Sequence, residues 1–219
     1  MSFDPVIVLD FETSGHSPAL GDRPIEVGAV RIEQDMIVDR FQSLMNPGFT
    51  ISWFIESLTG ISNDLVAEAP DCEEVMTRFA DWIGETPLVA HNAGFDRKFL
   101  DAELVRIGRE RTNPMACTVL ASRRLFPEAP NHKLATMVAH LGIYTDGTFH
   151  RALADAEMTG HLWIAMTDLL HSRYGFTDVP FSLMQTITGM GRARVDRFLR
   201  SHTQSPSEPI SQVDLSCRY

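Results

Sequence analysis

Two carboxylates at the end of a short apolar run are the residues of this chain best suited to chemistry. Residues 6–9 are uniformly apolar, which predicts a buried strand, and this strand leads into Asp10 and Glu12. Because side chains alternate along a strand, both carboxylates face the same side. Burying two acids without cations costs free energy, and a pair of divalent metal ions would supply the positive charge. For this pair taken alone, the alternative is a strand end that emerges into solvent.

Two later segments favour the metal site. Residues 88–91 form a second apolar run, which passes through a small-residue turn into a helix with Asp96 in its first turn. His150 stands just before an alanine-rich helix that contains Asp155. In order and spacing, the three segments resemble the three motifs of the DEDDh, DnaQ-like family of 3′-to-5′ exonucleases. This family includes the proofreading subunit of bacterial replicative polymerase and exonuclease X.

The resemblance extends over residues 5–170 of the chain. Residues 24–30 are similar to the family's second strand, residues 58–62 to the loop after its third strand, and residues 117–134 to the helix and connector before the last motif. Many relatives carry Asp where this chain has Cys117, a difference that resembles exonuclease X and leaves the chemistry unchanged. The resemblance implies an α/β fold of ribonuclease H-like architecture, with a mixed central sheet flanked by helices.

The ligand set favours Mg²⁺ or Mn²⁺, two ions per site. Hydrolysis of a phosphodiester needs an activated water and a stabilised leaving group, and two metal ions supply both. Hard divalent cations prefer carboxylate oxygen, and a site with four acids, one histidine and no cysteine speaks against zinc. The resemblance implies that Asp10 bridges both ions, that Glu12 and Asp155 hold the ion that activates water, and that Asp96 supports the other ion through bound waters.

His150 is the candidate general base. Histidine side chains ordinarily titrate near pH 6.5, which suits proton removal at neutral pH, and the position ahead of the Asp155 helix lets the ring reach the attacking water. The alternative for any single histidine is an ordinary surface or core residue. We expect that alternative for the histidines outside the motif, namely His16, His132, His140, His161, His171 and His202.

Four further residues are candidate substrate contacts. Thr13 follows the strand carboxylates, and Thr59 occupies a loop position that contacts the terminal nucleotide in relatives. Asn92 and Phe99 would line the same cleft, with Phe99 offering a ring face for stacking. The structural alternatives remain open for all four: a strand-end hydroxyl, a turn residue, a turn amide and a core aromatic, respectively.

Composition fits a soluble protein. No apolar stretch reaches the roughly 20 residues that span a bilayer, and the N-terminus lacks a signal-peptide pattern, so we expect a cytoplasmic protein without membrane contact. The three cysteines are widely spaced, which indicates neither a disulfide framework nor structural zinc. The formal net charge of −10 excludes a broad basic surface that coats nucleic acid, but not an enzyme that grips one strand end. The basic residues form clusters, and each cluster is either a substrate contact or a solvated helix face. The clusters contain Arg97, Lys98, Arg123, Arg124, Lys133, Arg192, Arg194, Arg197 and Arg200.

Periodicity predicts a strand meander followed by alternating helices and strands. Three strands joined by short turns indicate an antiparallel meander, and later helices around a further strand indicate an α/β fold with a mixed sheet. Predicted strands cover residues 6–10, 25–32, 36–44 and 88–91, and predicted helices begin near residue 70 and cover 94–107, 118–125, 133–141 and 152–171.

The chain divides into three predicted segments. Residues 1–172 form the exonuclease domain, residues 173–202 a helical C-terminal extension, and residues 203–219 a polar tail that we expect to be disordered. Within the extension, Gly189-Met190-Gly191 separates two helix-capable segments. This element either offers backbone N–H groups to a phosphate, as a helix-hairpin-helix does, or packs the extension against the main domain.

The sequence therefore predicts a metal-dependent exonuclease that releases nucleoside 5′-monophosphates from the 3′ end of single-stranded or frayed DNA, in proofreading or repair. Its expected partners are 3′-ended nucleic acid, DNA in preference to RNA, and either a DNA polymerase or a clamp. One alternative is a 3′-to-5′ exoribonuclease or oligoribonuclease, because nothing in the sequence identifies a contact to a 2′-hydroxyl. A second alternative is a non-catalytic nucleic-acid or clamp-binding module, which would not need all five chemical groups.

Overall fold

A five-stranded mixed sheet lies at the centre of the molecule. The computed structural model describes residues 4–145 and 150–202. In this part of the chain the strand order is β3-β2-β1-β4-β5, where β1 is antiparallel to β2 and parallel to β4. The strands are β1 (Val6–Thr13), β2 (Pro24–Glu33), β3 (Met36–Leu44), β4 (Leu88–Ala90) and β5 (Met115–Cys117). The predicted α/β fold with a mixed sheet is thus confirmed.

Helices cover both faces of this sheet. None of them, within the residues that the structure describes, is long and apolar enough to cross a membrane. A short 3-10 helix (Pro18–Leu20) follows β1. The α-helices are α1 (Trp53–Thr59), α2 (Asn63–Ala67), α3 (Cys72–Ile83), α4 (Gly94–Arg106), α5 (Thr118–Leu125), α6 (Leu134–Leu141), α7 (Ala152–Tyr174), α8 (Phe181–Gly189) and α9 (Arg192–His202).

The segment after β3 differs from the predicted loop, because it contains α1 and α2. Serine caps stabilise both helices: Ser52 accepts a hydrogen bond from the Ile55 N–H at 3.4 Å, and Ser62 accepts one from the Leu65 N–H at 3.2 Å. Each cap satisfies a backbone donor that a short helix would otherwise leave unpaired. Thr59 is consequently the last residue of a helix rather than a loop residue.

Both faces of β1 are buried, which explains its uninterrupted apolar sequence. Val6 and Val8 join the core cluster on the α7 side, and Ile7 and Leu9 join the cluster on the side of α3 and α4. Since side chains alternate along the strand, the side chains of residues 10 and 12 face α7, as those of Val6 and Val8 do. The strand therefore delivers its two carboxylates to the face where α7 begins.

A glycine on β2 allows α7 to approach the sheet closely. Gly28 pairs with Asp10 across the antiparallel ladder. A Cβ at Gly28 would lie 2.1 Å from the backbone nitrogen of Leu153, so only glycine leaves room for the first turn of α7. The N-terminal end of α7 is in this way held directly over the carboxylate end of β1.

The C-terminal helices α8 and α9 belong to the core on the α7 side. Met184 and Ile187 of α8, with Val195 and Leu199 of α9, are buried in this cluster. Helices therefore form in the predicted extension and pack against the main domain, whereas a phosphate-binding role for the turn between them stays a prediction. The predicted disordered tail, residues 203–219, lies outside the described residues.

Candidate active site

The structure brings together the carboxylates that the sequence places on three separate elements. The Phe11 N–H of β1 donates to Asp96 Oδ1 at 3.3 Å, which ties the first turn of α4 to β1. The His150 N–H donates to Asp155 Oδ2 at 3.0 Å, which ties the approach to α7 to its first turn. One ligand atom from each of Glu12, His150 and Asp155 lies within 4.8 Å of the other two.

Burial raises the pKa of all four carboxyl groups, and neighbouring acids add to this at three of them. Burial raises the pKa of Asp10 well above its usual value, and the charges of Asp96, Asp155 and Glu12 raise it further. Burial, followed by the charges of Asp155 and other acids, raises the pKa of Glu12 from 4.5 to about 8. Burial likewise raises the pKa of Asp96 to about 7, against the opposing effect of its backbone hydrogen bonds, and raises the pKa of Asp155.

These side chains fit a divalent cation. Asp155 Oδ1 is buried and has no hydrogen-bond partner, so one of its acceptors is free to bind a ligand. The pKa increases show that the anionic forms lack compensation from within the chain. Carboxylate oxygens with one imidazole are the donors that hard divalent cations accept. The site is accordingly suited to a divalent metal, in agreement with the predicted class of cofactor.

The backbone at His150 adopts a conformation that non-glycine residues rarely occupy. Its φ is +60°, and Asn92, at the turn between β4 and α4, has a φ of +71°. Such conformations persist where the surrounding structure holds them, and they concentrate at functional sites. At His150 the holding contact is the hydrogen bond to Asp155, which keeps the exposed imidazole beside Glu12.

Glu26 is a buried acid of this region that the sequence analysis did not single out. It lies opposite Glu12 in the β1–β2 pairing and is fully buried. Its Oε2 accepts from the Ala152 N–H at 3.1 Å and from Arg151 Nε at 3.1 Å, and its Oε1 accepts from Arg151 Nη2 at 2.8 Å. Glu26 thus anchors the start of α7 to the sheet. An acid within the apolar run of β2 was the signal that could have identified it.

The predicted contacts Thr13 and Thr59 make local hydrogen bonds. The Thr13 hydroxyl donates to the Gly15 carbonyl at 2.6 Å. The Thr59 hydroxyl donates to the Ile55 carbonyl at 2.9 Å and accepts from the Ile61 N–H at 3.1 Å. These bonds match the structural alternatives for both residues, and their contact with substrate stays a prediction. Asn92 is exposed at the edge of the site, and its substrate contact is likewise still a prediction.

The stacking face predicted for Phe99 is not available in this structure. Its ring is fully buried, because the third position after Asp96 on α4 points into the core. Phe95 packs against it with the ring centroids 5.1 Å apart, and Phe95 is itself only partly buried. Phe95 is therefore the aromatic residue of this turn that retains exposed surface.

The fold and the site together define a metal-dependent nuclease of ribonuclease H-like architecture. A family model for exonucleases of the RNase T type matches residues 7–162. The chain belongs to this exonuclease family.

Two relatives of this chain are PolC-type DNA polymerases III. The chain is 41% identical over 174 residues to the PolC-type DNA polymerase III of Bacillus cereus, a match that covers 78% of this chain and 12% of the polymerase. It is 44% identical over 160 residues to the corresponding polymerase of Oceanobacillus iheyensis, covering 73% of this chain and 11% of that protein. The chain thus spans only a small part of the length of these relatives.

Solved structures of exonucleases are also similar to this chain. Exonuclease X in complex with 5′ overhanging duplex DNA superimposes with a TM-score of 0.66 and 26% identity, covering 84% of this chain and 99% of that chain. The nuclease domain of 3′hExo, a DEDDh family member bound to rAMP, superimposes with a TM-score of 0.64 and 25% identity, covering 75% of this chain and 92% of that chain. The chain is a DEDDh-type 3′-to-5′ exonuclease domain, and the family resemblance is confirmed.

Proposed function

We propose that this domain removes nucleoside 5′-monophosphates one at a time from the 3′ end of single-stranded or frayed DNA, with two Mg²⁺ or Mn²⁺ ions in its site. The observation that carries the proposal is the cluster of Asp10, Glu12, Asp96 and Asp155 beside His150. Among the described residues, no arginine or lysine forms an ion pair with any of these four carboxylates.

Three elements of the chain would hold the metal ions. Asp10 and Glu12 of β1, Asp96 of α4 and Asp155 of α7 would supply the carboxylate oxygens. When bound, the divalent ions lower the pKa of the attacking water and stabilise the negative charge of the leaving oxygen. The preference for Mg²⁺ or Mn²⁺ over softer metals rests on the absence of a thiolate among these ligands.

His150 would act as the general base. Its imidazole accepts a proton from the attacking water, and because the side chain is exposed it can then release that proton to solvent. Asp155 holds the backbone of His150 through the 3.0 Å hydrogen bond to its N–H. The anchoring of Arg151 and Ala152 by Glu26 keeps this segment in place next to the carboxylates.

DNA is the proposed substrate because the PolC relatives are DNA polymerases and the exonuclease X structure contains duplex DNA. The same relationship supports a role beside a DNA polymerase in the bacterial cytoplasm, whereas a clamp partner stays a prediction. The 3′hExo structure contains rAMP, which keeps an exoribonuclease as the second candidate.

Matched DNA and RNA oligonucleotides of one sequence, labelled at the 5′ end, test the proposal. With Mg²⁺ or Mn²⁺ we expect products shortened from the 3′ end, release of nucleoside 5′-monophosphates, and faster degradation of DNA. Faster degradation of RNA would favour the exoribonuclease. Binding without any hydrolysis would favour the non-catalytic module.

A further inference from the structure

Cations on this acidic protein divide into two sets. Most arginines bond to an acid or a backbone carbonyl, as Arg40 does with Glu157 at 2.6 Å and Arg109 with Asp81 at 2.7 Å. In the part of the chain that the structure describes, the charged groups of a second set make no hydrogen bond or ion pair. That set includes Arg97, Arg123, Lys133, Arg192, Arg194 and Arg197. Unpaired cations on a chain with a net charge of −10 are available for an anionic ligand.

Two of these unpaired arginines line one groove. The groove has a volume of about 410 Å³ and lies between the first turn of α4, β5, α5 and the end of α8. Arg97 and Arg123 contribute its positive charge, and Asn92, Cys117 and Thr188 contribute polar side chains. No carboxylate and no aromatic ring is among the lining residues.

The groove and the carboxylate site share the first turn of α4. Arg97 directly follows Asp96 on α4, and successive helical residues project in different directions, so Asp96 meets the Phe11 N–H while Arg97 is exposed in the groove. Asn92 stands at the entrance, between β4 and α4. A strand whose 3′ end reaches Asp96 therefore has a positively charged path next to it.

The positive charge continues toward α9. Arg124 Nε on α5 donates to the Met190 carbonyl at 2.9 Å, two residues before Arg192. This contact holds the start of α9 against α5. Arg192 is exposed, so the charged path extends from α4 past α5 to the first residue of α9.

We propose that this groove binds the phosphodiester backbone of the strand being degraded, on the 5′ side of the reacting bond. The proposal rests on the proposed function, since it requires a nucleic-acid strand in the site. Arginine offers paired donors that match phosphate oxygens, and a groove without carboxylates does not repel them. Because no aromatic ring is present to stack on a base, the groove holds the strand through its phosphates and independently of sequence.

Three single substitutions test the groove. Arg123→Ala removes one of its cations. Leu120→Glu adds a carboxylate to the groove without removing a cation, and because residue 120 is exposed in the first turn of α5, a negative charge there is compatible with the helix. Arg109→Ala is the matched control, since it removes an exposed arginine that is paired with Asp81 outside the groove.

Binding of a single-stranded oligonucleotide is measured by fluorescence anisotropy over a salt series, with the metal removed by a chelator. We expect Arg123→Ala and Leu120→Glu each to weaken binding about 3- to 10-fold, and Arg123→Ala to reduce the slope of log affinity against log salt by about 0.7. Arg109→Ala should bind as the wild type does. In the presence of Mg²⁺ or Mn²⁺, the KM for the oligonucleotide should rise in both groove variants, whereas hydrolysis of a dinucleotide, which is too short to reach the groove, should not change.

Wild-type affinity and salt slope in both groove variants would overturn the proposal, as would an equal loss in Arg123→Ala and Arg109→Ala. A loss confined to duplexes with a recessed 3′ end would assign the groove to the complementary strand and contradict the proposed strand. Because binding is measured without metal, its result is independent of hydrolysis. If the wild type binds the oligonucleotide but hydrolyses neither it nor the dinucleotide, the proposed function is wrong. The binding measurements still test the groove in that case.

Discussion

Two acids on the same helix are equally buried but have different surroundings. Asp96 and Glu103 of α4 each have a relative solvent exposure of 2%. Glu103 binds the Arg23 guanidinium through two contacts, at 2.6 and 3.1 Å. Among the residues that the structure describes, the hydrogen-bond donors to Asp96 are backbone N–H groups, and burial raises its pKa to about 7. The fold thus neutralises its structural acid internally and leaves the acid of the site to a ligand.

The β1–β2 pair repeats this difference. Glu12 and Glu26 are opposite each other in register and both are buried. Glu26 binds Arg151 and the Ala152 N–H, whereas burial and neighbouring acids raise the pKa of Glu12 to about 8. A buried carboxylate without a cation is costly, so its retention indicates a function that the paired acids do not have.

The largest expected effect is the difference in turnover between variants of the two acids of α4. Asp96→Asn should lower turnover at least about 10³-fold, because it removes a ligand that stabilises charge in the transition state. Glu103→Gln should retain activity at temperatures where it is folded. Initial rates of 3′ hydrolysis in saturating Mg²⁺ check both variants. Near wild-type turnover in Asp96→Asn would remove this acid from the metal site.

Loss of the His150 imidazole should have the next largest effect. His150→Ala should slow hydrolysis about 10²- to 10⁴-fold, the range for loss of a general base. His150→Gln keeps much of the volume without a base and should be equally slow. Initial rates of 3′ hydrolysis measure both variants. A rate near that of the wild type in either variant would remove His150 from the mechanism.

Stability should change in the opposite sense from activity. Without metal at pH 8, Asp96→Asn should raise the melting temperature, by about 2–4 °C for each kcal/mol of relieved repulsion. Glu103→Gln should lower stability by up to about 3 kcal/mol, because it leaves the Arg23 guanidinium with only the exposed Glu73, at 3.0 Å, as its counter-charge. Thermal unfolding followed by circular dichroism measures both. A destabilised Asp96→Asn would show that this acid contributes to the fold.

A smaller effect is the pH dependence of stability in the metal-free protein. The folded-state pKa of Glu12 is about 8, and its ordinary value is 4.5. The folded chain therefore binds more protons than the unfolded chain between these values, so stability falls as the pH rises from about 5 to about 8. Glu12→Gln should flatten this decline. Parallel pH curves for wild type and variant, measured by urea unfolding with a chelator present, would contradict the assignment.

Long elements with a clear apolar period could be predicted from the sequence. The strands of the meander and helices such as α4 and α7 lie within a few residues of their predicted bounds. Strand β5 was missed because its three residues, Met115–Cys117, include no β-branched or aromatic side chain. Helices α1 and α2 were missed because seven and five residues, two turns or fewer, are too short for a clear helical period. Short elements are fixed by caps and by contacts with the rest of the fold, which a local pattern does not contain.

The carboxylates and the histidine of the site could be predicted because their spacing matches a family motif and their chemistry requires those side-chain types. The anchoring role of Glu26 could not, since it depends on Arg151, a residue 125 positions away in the chain. Burial of Phe99 also depends on tertiary structure, because the helix face that meets the core is decided by packing. The sequence therefore indicated side chains that the structure brings together, as it does Glu12, His150 and Asp155, but not the residues that hold them in place.

The most direct test of the central claim is the effect of divalent metal on thermal stability at pH 8. We predict that Mg²⁺ or Mn²⁺ raises the melting temperature of the wild type in a saturable manner, because binding to the folded state relieves repulsion among Asp10, Glu12, Asp96 and Asp155. Glu103→Gln should show the same increase from a lower starting value, and Asp155→Asn should show little or none. Equal melting temperatures with and without metal in the wild type, or a full increase in Asp155→Asn, would contradict the claim that these uncompensated acids form the metal site.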